Sequence, residues 1–248
     1  MESLRSWWRE IGDLVLPAGC AGCGTVRAVL CTGCRALLYG ARAGTARRVR
    51  PAPEPAGLPP VYAAVEYAGE PRSVLLAHKE RGALALAAPL GRALALSVTA
   101  VRAHGERVAD AVGRGAAGEV LALVPVPSAR AATGRRGHDP VRRIAVAAAA
   151  RLRREGLAVR VLPVLRQRRT VADQAGLGAE ARRANLAGAL TAEGSRVLAY
   201  GESVVLVDDV VTTGASLAEA ARAVRTAGGR LLGAAVVAGT RSAREEPG

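Results

Sequence analysis

One short segment near the carboxyl end constrains this chain more than any other. Val204-Val205-Leu206-Val207 is a continuous apolar run that passes straight into Asp208-Asp209, then through Val210-Val211 into Thr212-Thr213-Gly214-Ala215-Ser216. Branched apolar residues without alternation mark a strand covered on both faces. The Thr-Thr-Gly-Ala-Ser turn then opens a helix over residues 216–227, closed by Gly228-Gly229. The start of a helix offers unpaired N–H groups and a partial positive charge to an anion. Gly214 lets the backbone approach that anion closely, and Thr212, Thr213 and Ser216 add hydroxyl donors. The two carboxylates would repel an anion at contact distance. At the far end of a sugar phosphate they instead accept hydrogen bonds from two neighbouring hydroxyls. A ribose 5-phosphate has that polarity. A plain strand–turn–helix junction needs only a lone Thr-Gly-Ser, and the full string is more specific than that. No G-x-x-x-x-G-K-[ST] loop and no G-x-G-x-x-G after a strand is present.

The rest of the chain repeats the alternation of strand and helix. Strands are predicted over 61–68, 119–126, 158–165, 203–207 and 231–238, and helices over 70–80, 84–103, 140–155 and 216–227. Asp139-Pro140 is a helix start, an acid at the N-cap followed by proline at the first helical position. Residues 105–118 read as a loop, and 166–200 as polar and irregular with a helix near 178–187. The fold class is α/β, a parallel sheet with helices on both faces. Ligands in such sheets sit beyond the carboxyl ends of the strands, which singles out the loops after Val126, Leu165 and Val207. With 248 residues, half of them apolar, the chain suits one such domain plus a small appendage.

The appendage lies at the amino end. Residues 1–16 read as a short amphipathic helix. Cys20-x2-Cys23 and Cys31-x2-Cys34 hold every cysteine of the chain. Each pair is a knuckle that presents two thiolates to one metal, and two knuckles complete a tetrahedral S₄ site suited to Zn²⁺. Four protein ligands leave no open position, so the predicted role is structural, with the metal supplying folding energy. A thioredoxin-like redox reading fits poorly, because neither pair sits at a βα junction. Residues 51–60, rich in proline, read as a linker. The predicted organisation is a zinc-ribbon segment over 1–50, a linker over 51–60 and the α/β domain over 61–248.

Formal net charge is +14, almost all of it arginine, since Lys79 is the sole lysine. Two readings stand: solvated basic faces in a composition biased to Ala, Gly and Arg, or a field that attracts phosphates or nucleic acid. The scarcity of aromatics, 2% of residues with Phe absent, argues against a base-stacking platform. No apolar run is read as approaching the ~20 residues that span a bilayer, and Trp7-Trp8-Arg9-Glu10 interrupts any signal peptide. The expectation is a cytoplasmic protein without membrane insertion, its cysteines thiols or metal ligands. His78 and His104 are expected on helix surfaces, and His138 in a loop.

The segment 204–216 resembles the PRPP-binding motif of type I phosphoribosyltransferases. The resemblance implies that Asp208 and Asp209 hold the ribose hydroxyls. It implies that Thr212, Thr213, Gly214, Ala215 and Ser216 surround the 5′-phosphate, and that Mg²⁺ arrives on the pyrophosphate and ribose oxygens of PRPP. Val124-Pro125-Val126-Pro127-Ser128-Ala129-Arg130 stands where those enzymes carry a pyrophosphate loop, with Ser128 and Arg130 as candidate contacts. Residues 165–190, with Arg168 and Arg169, match in chain order the loop that closes over PRPP. Closing arginines there would neutralise departing pyrophosphate. A domain hood that reads the acceptor is expected from residues 61–105. Lys79, a compact ammonium in an arginine-rich chain, is a candidate beside pyrophosphate, with chance retention at a helix end as its alternative.

Most of the chain is also similar to the ComF/GntX-type, competence-associated phosphoribosyltransferase-like family. The shared features are the paired cysteines, Lys79 before Gly82, Val-Pro-Val-Pro, Arg-x-Thr-x-x-x-Gln, Arg-x-x-Asn and the PRPP loop. His138-Asp139-Pro140 departs from that family's aromatic-Asn-Gln, so contacts of that Asn-Gln do not carry over. The resemblance implies a PRPP-binding protein, with transfer to a nitrogen nucleophile if it catalyses. The alternative is a non-enzymatic nucleotide sensor or single-stranded-DNA-handling module working with other competence proteins.

Overall fold

The structure is a computed structural model in which residues 19–39, 46–111, 120–127, 139–168, 188–193 and 202–240 are described. Eight strands are present among them: β1 (Arg47–Val49), β2 (Val61–Glu66), β3 (Leu121–Pro125), β4 (Val159–Val161), β5 (Leu165–Gln167), β6 (Leu190–Ala192), β7 (Ser203–Val211) and β8 (Arg230–Gly239). Five α-helices accompany them: α1 (Thr32–Leu38), α2 (Gly69–Glu80), α3 (Ala87–Ala111), α4 (Pro140–Arg154) and α5 (Ala215–Thr226). Six strands form the main sheet in the order β1-β2-β8-β7-β3-β4. All neighbours in it run parallel except the edge strand β1, which pairs antiparallel with β2. This is the predicted mixed α/β class with a mostly parallel sheet.

The pleat divides β7 between two cores. Val205 and Val207 join Leu123, Ala235 and Val237 beneath α2, α3 and α4. Val204 and Leu206 join Val124, Ala234 and Val236 beneath α5 and the β5–β6 hairpin. A strand covered on both faces must be apolar at every position, which is why the run shows no alternation. The same period sends Asp209 to the α2 side and Asp208 to the α5 side.

Local signals explain the covering helices. The Asp139 carboxylate accepts a hydrogen bond from the Arg142 backbone N–H at 3.0 Å, capping α4 as predicted, with Pro140 in its first turn. Ile144, Ala145, Ala148, Ala149 and Leu152 then bury one face. Helix α4 crosses α3 at Gly91, where a Cβ would lie 2.5 Å from Ala147 Cβ. Any larger residue would push the two helices apart.

Several expectations are corrected. Residues 105–111 are helical, because α3 continues to Ala111, and an Arg102–Glu106 ion pair at 2.8 Å bridges its last turns. The strand expected over 158–165 is two short ones, β4 and β5, which belong to different sheets. Residues 61–105, expected as a hood, supply β2, α2 and most of α3 to the body of the fold. The expected linker packs rather than dangles. Pro51, Pro55 and Pro59 are buried, and the Arg225 guanidinium of α5 donates to Gly57 O at 2.7 Å. Strand β1, which lies before it, is part of the main sheet. The segment 84–111 is long and apolar enough to cross a membrane, contrary to the reading that no run is. Half of its most apolar stretch is buried against β2, β8 and α4, as in the core helix of a globular domain.

Candidate ribose-phosphate site and cysteine centre

The site is built where β7 ends. Strand β7 runs on through both acids to Val211, four residues beyond the predicted end at Val207. Thr212 and Thr213 follow, and Gly214 turns the chain with φ +73° into α5. The left-handed conformation is one that side-chain-bearing residues rarely adopt. A Cβ at Gly214 would also press on Leu58 and Pro51, at 3.1 and 3.2 Å. The loop is therefore fixed from behind by the stretch 51–60. No side chain caps the first turn of α5, which leaves its N–H groups turned to the loop. Asp208, Thr212, Thr213, Gly214, Ala215 and Ser216 line one concavity at this point. The strand, the loop and the acid predicted from sequence are thus brought together.

The two acids differ sharply in their surroundings. Asp209 is 4% exposed, and the Lys79 ammonium of α2 stands 2.7 Å from its Oδ2. That oxygen has no directed hydrogen bond, so the contact is ionic. Asp208 is half-buried, and its Oδ1 accepts from the Asp209 backbone N–H at 2.8 Å. Burial, and then the negative charge of Asp209, push the Asp208 carboxyl well above the usual carboxylate range, while Lys79 pulls it back in part. A carboxyl raised by burial and a neighbouring acid, lining a cleft, is a mark of functional sites.

Two residues outside the predicted set hold this arrangement. His78, expected on the surface, is 1% exposed. Its Nδ1 lies 3.2 Å from Ala83 O and its Nε2 3.4 Å from Pro140 O. It ties the end of α2, and with it Lys79, to the start of α4. The spacing Val74, Leu75, His78 on one helical face is the signal that could have placed it inside. Glu219 of α5 is 6% exposed. It accepts from the Arg222 guanidinium at 2.7 and 2.8 Å and from the Leu190 backbone N–H at 2.9 Å. Arg222 also donates to Leu190 O at 2.8 Å. This clamp fixes β6 on α5. Its sequence signal is an i,i+3 acid–arginine pair, which on its own reads as surface.

The remaining predicted contacts divide in two. Arg168 is exposed at the end of the β5–β6 hairpin, where its backbone N–H donates to Ala189 O at 2.9 Å. Ser128, Arg130, Arg169, His138 and the loop over 170–187 lie outside the described residues, as does the amphipathic stretch 1–16. His104 is partly buried with its ring 5.9 Å from that of Tyr62.

The four cysteines converge, with all their sulfurs within 4.8 Å of one another. Tetrahedral Zn–S bonds of about 2.3 Å place sulfurs about 3.8 Å apart, so the cluster is compatible with a structural zinc site. Cys23 Sγ is already 3.6 Å from Cys31 Sγ. Residues 19–31 form turns, and the second pair is no free knuckle, because Cys31 caps α1 and Cys34 lies in its first turn. The Cys20 thiol is pushed up by burial, but N–H donors of Cys31, Cys23 and Gly22 more than offset this and bring it to about 6. Such donors favour the thiolate that a metal needs. Burial and the neighbouring sulfurs push Cys34 up, a crowding that a bound cation would relieve. Mg²⁺ meets a different situation. It takes oxygens in a strict octahedron, and at the acid pair an ammonium already stands on Asp209 Oδ2. The acids are not arranged as a protein-held magnesium cage.

No curated protein matches the chain. A family model described as the phosphoribosyl transferase domain matches residues 182–248, the part that carries β6, β7, the glycine loop, α5 and β8. That match covers about a quarter of the chain and supports a likeness to the type I phosphoribosyltransferase family.

Proposed function

We propose that the protein binds PRPP and transfers its phosphoribosyl group to a nitrogen nucleophile. The observation that carries this is a single concavity in which an uncapped helix start and hydroxyl-bearing loop stand beside Asp208, whose neighbour Asp209 lies on the other face of β7. The 5′-phosphate takes the N–H groups of residues 214–216 and the hydroxyls of Thr212, Thr213 and Ser216. Asp208 and Asp209 take the ribose hydroxyls. Mg²⁺ belongs to the substrate and supplies charge neutralisation on the pyrophosphate. In the reaction a C1–N bond forms, the C1–O bond to pyrophosphate breaks, and the leaving group departs with the bonding pair. The nucleophile's proton goes to solvent or to a base on the acceptor side. The chain contributes positioning and charge complementarity, with Ser128, Arg130, Arg168 and Arg169 as the proposed receivers of pyrophosphate.

The similarity to ComF/GntX-type proteins extends this proposal to a role beside DNA uptake. The net charge of +14 supports a second reading, a module that holds single-stranded DNA. The two are separated by calorimetric titration of PRPP with Mg²⁺ into zinc-loaded protein, alongside an Asp208→Asn/Asp209→Asn variant. We expect saturable binding that the variant loses by about 100-fold or more. No heat at millimolar PRPP from folded protein would overturn the proposal. DNA binding with a steep salt dependence, unaffected in the variant, would favour the second reading.

A further inference from the structure

Lys79 is a candidate beside pyrophosphate, and its ammonium stands on Asp209. The contact is short, 2.7 Å from Nζ to Asp209 Oδ2, and the two side chains are 33% and 5% exposed. A carboxylate this deeply buried is costly unless a counter-charge compensates it. The pleat of β7 accounts for the meeting, since it turns Asp209 toward the face that α2 covers and Asp208 toward the loop. The placement is held from the protein side. His78, one residue before Lys79, is locked between Ala83 O and Pro140 O. A point-like ammonium also suits a single carboxylate oxygen, where a guanidinium would bring a planar fork. A divalent ion bridging the two acids, on either oxygen of Asp209, would come within a few ångströms of this cation, and like charges at that distance repel.

We propose that Lys79 is a specificity-determining residue of the ribose subsite. Fixed on Asp209, it takes the place of a metal at the acid pair, so that a ribose 5-phosphate group is bound without divalent cation. The inference rests on the ribose-phosphate reading above and deepens it. Divalent metal is then needed only by ligands that bring a pyrophosphate. Substrates or products ending in a plain 5′-phosphate, ribose 5-phosphate and 5′-mononucleotides among them, bind equally well in metal chelator.

The test is calorimetric titration of ribose 5-phosphate into zinc-loaded protein, in excess Mg²⁺ and with contaminating divalent ions masked by a weak chelator that leaves the protein's zinc in place. Wild type, Lys79→Met and Lys79→Arg are compared, with zinc content and thermal melting as folding controls. Wild-type affinity is expected to agree within about twofold between the two conditions. Lys79→Met should bind about tenfold more weakly without Mg²⁺ and regain part of the loss when Mg²⁺ is added. Lys79→Arg should fall between them. Wild-type binding of ribose 5-phosphate that requires Mg²⁺ would overturn this inference and leave the PRPP reading standing. So would a folded Lys79→Met protein that binds ribose 5-phosphate normally but loses PRPP, which would make Lys79 a pyrophosphate contact. Failure of the wild type to bind either ligand removes the reading and the inference together.

Discussion

Asp209 and Glu219 are both buried acids with a cation beside them, ten residues apart on consecutive elements, and they are built to opposite ends. Glu219 is saturated: both oxygens accept from Arg222, one accepts from Leu190 N–H as well, and the group is held below its ordinary value despite burial. Asp209 is left short: one ammonium, no directed hydrogen bond on Oδ2, and a second acid next to it whose proton is held tightly. A carboxylate whose lone pairs are all used fastens structure. One that meets a single ammonium, beside an acid that lines the concavity, is fastened far less.

Three measurements test this contrast. The largest effect is expected from Glu219→Leu. It removes the acceptor of a buried N–H and loosens β6 from α5, and should cost about 2–3 kcal/mol in urea unfolding. Arg222 is half exposed and can return to water, which keeps the cost from being higher. A loss below half a kcal/mol would make the clamp incidental. The opposite is expected of Asp208→Asn, which removes a charge that burial and Asp209 disfavour. Its stability at pH 8 should stay within about 1 kcal/mol of wild type or exceed it, and a large loss would show that Asp208 is structural after all. The smallest effect is on the pH profile of stability. The contribution of Asp208, raised in the fold, is complete below its ordinary value of 3.8 and is lost as pH rises through its elevated range. That of Glu219, lowered in the fold, is present above 4.5 and is lost as pH falls below it. Asp208→Asn should therefore flatten the decline on the neutral side, and Glu219→Gln the decline on the acid side. Exchange of these two outcomes would reverse the assignment of roles.

The loop Thr212 to Ser216 and the acids were legible in the sequence because their chemistry is local: strand, turn and helix start are consecutive residues. The cap at Asp139 and the cysteine pairs were legible for the same reason. His78 was expected at the surface, and the contacts of Lys79 and Glu219 were not legible, because partners of all three are distant in the chain. Pro140 lies 62 residues beyond His78, and Leu190 lies 29 before Glu219. Lys79 was singled out as the one lysine, but only the meeting of α2 with the pleat of β7 gives it Asp209. The proline-rich stretch 51–60 misled in another way. Pro51, Pro55 and Pro59 signal a break in regular structure, and composition does not say whether such a break is buried.

The closeness of Leu58 and Pro51 behind Gly214, which leaves little room for a Cβ, has a consequence for how the site could be carved out or transplanted. The matched segment 182–248 contains the loop, yet the wall that braces the loop comes from residues 51–60, and the cation on Asp209 comes from residue 79. A graft of the carboxyl-terminal third onto another scaffold would carry the letters of the motif without its backing. On the proposed reading, a fragment that keeps the loop, its backing and the cation on Asp209 has to begin at or before Pro51.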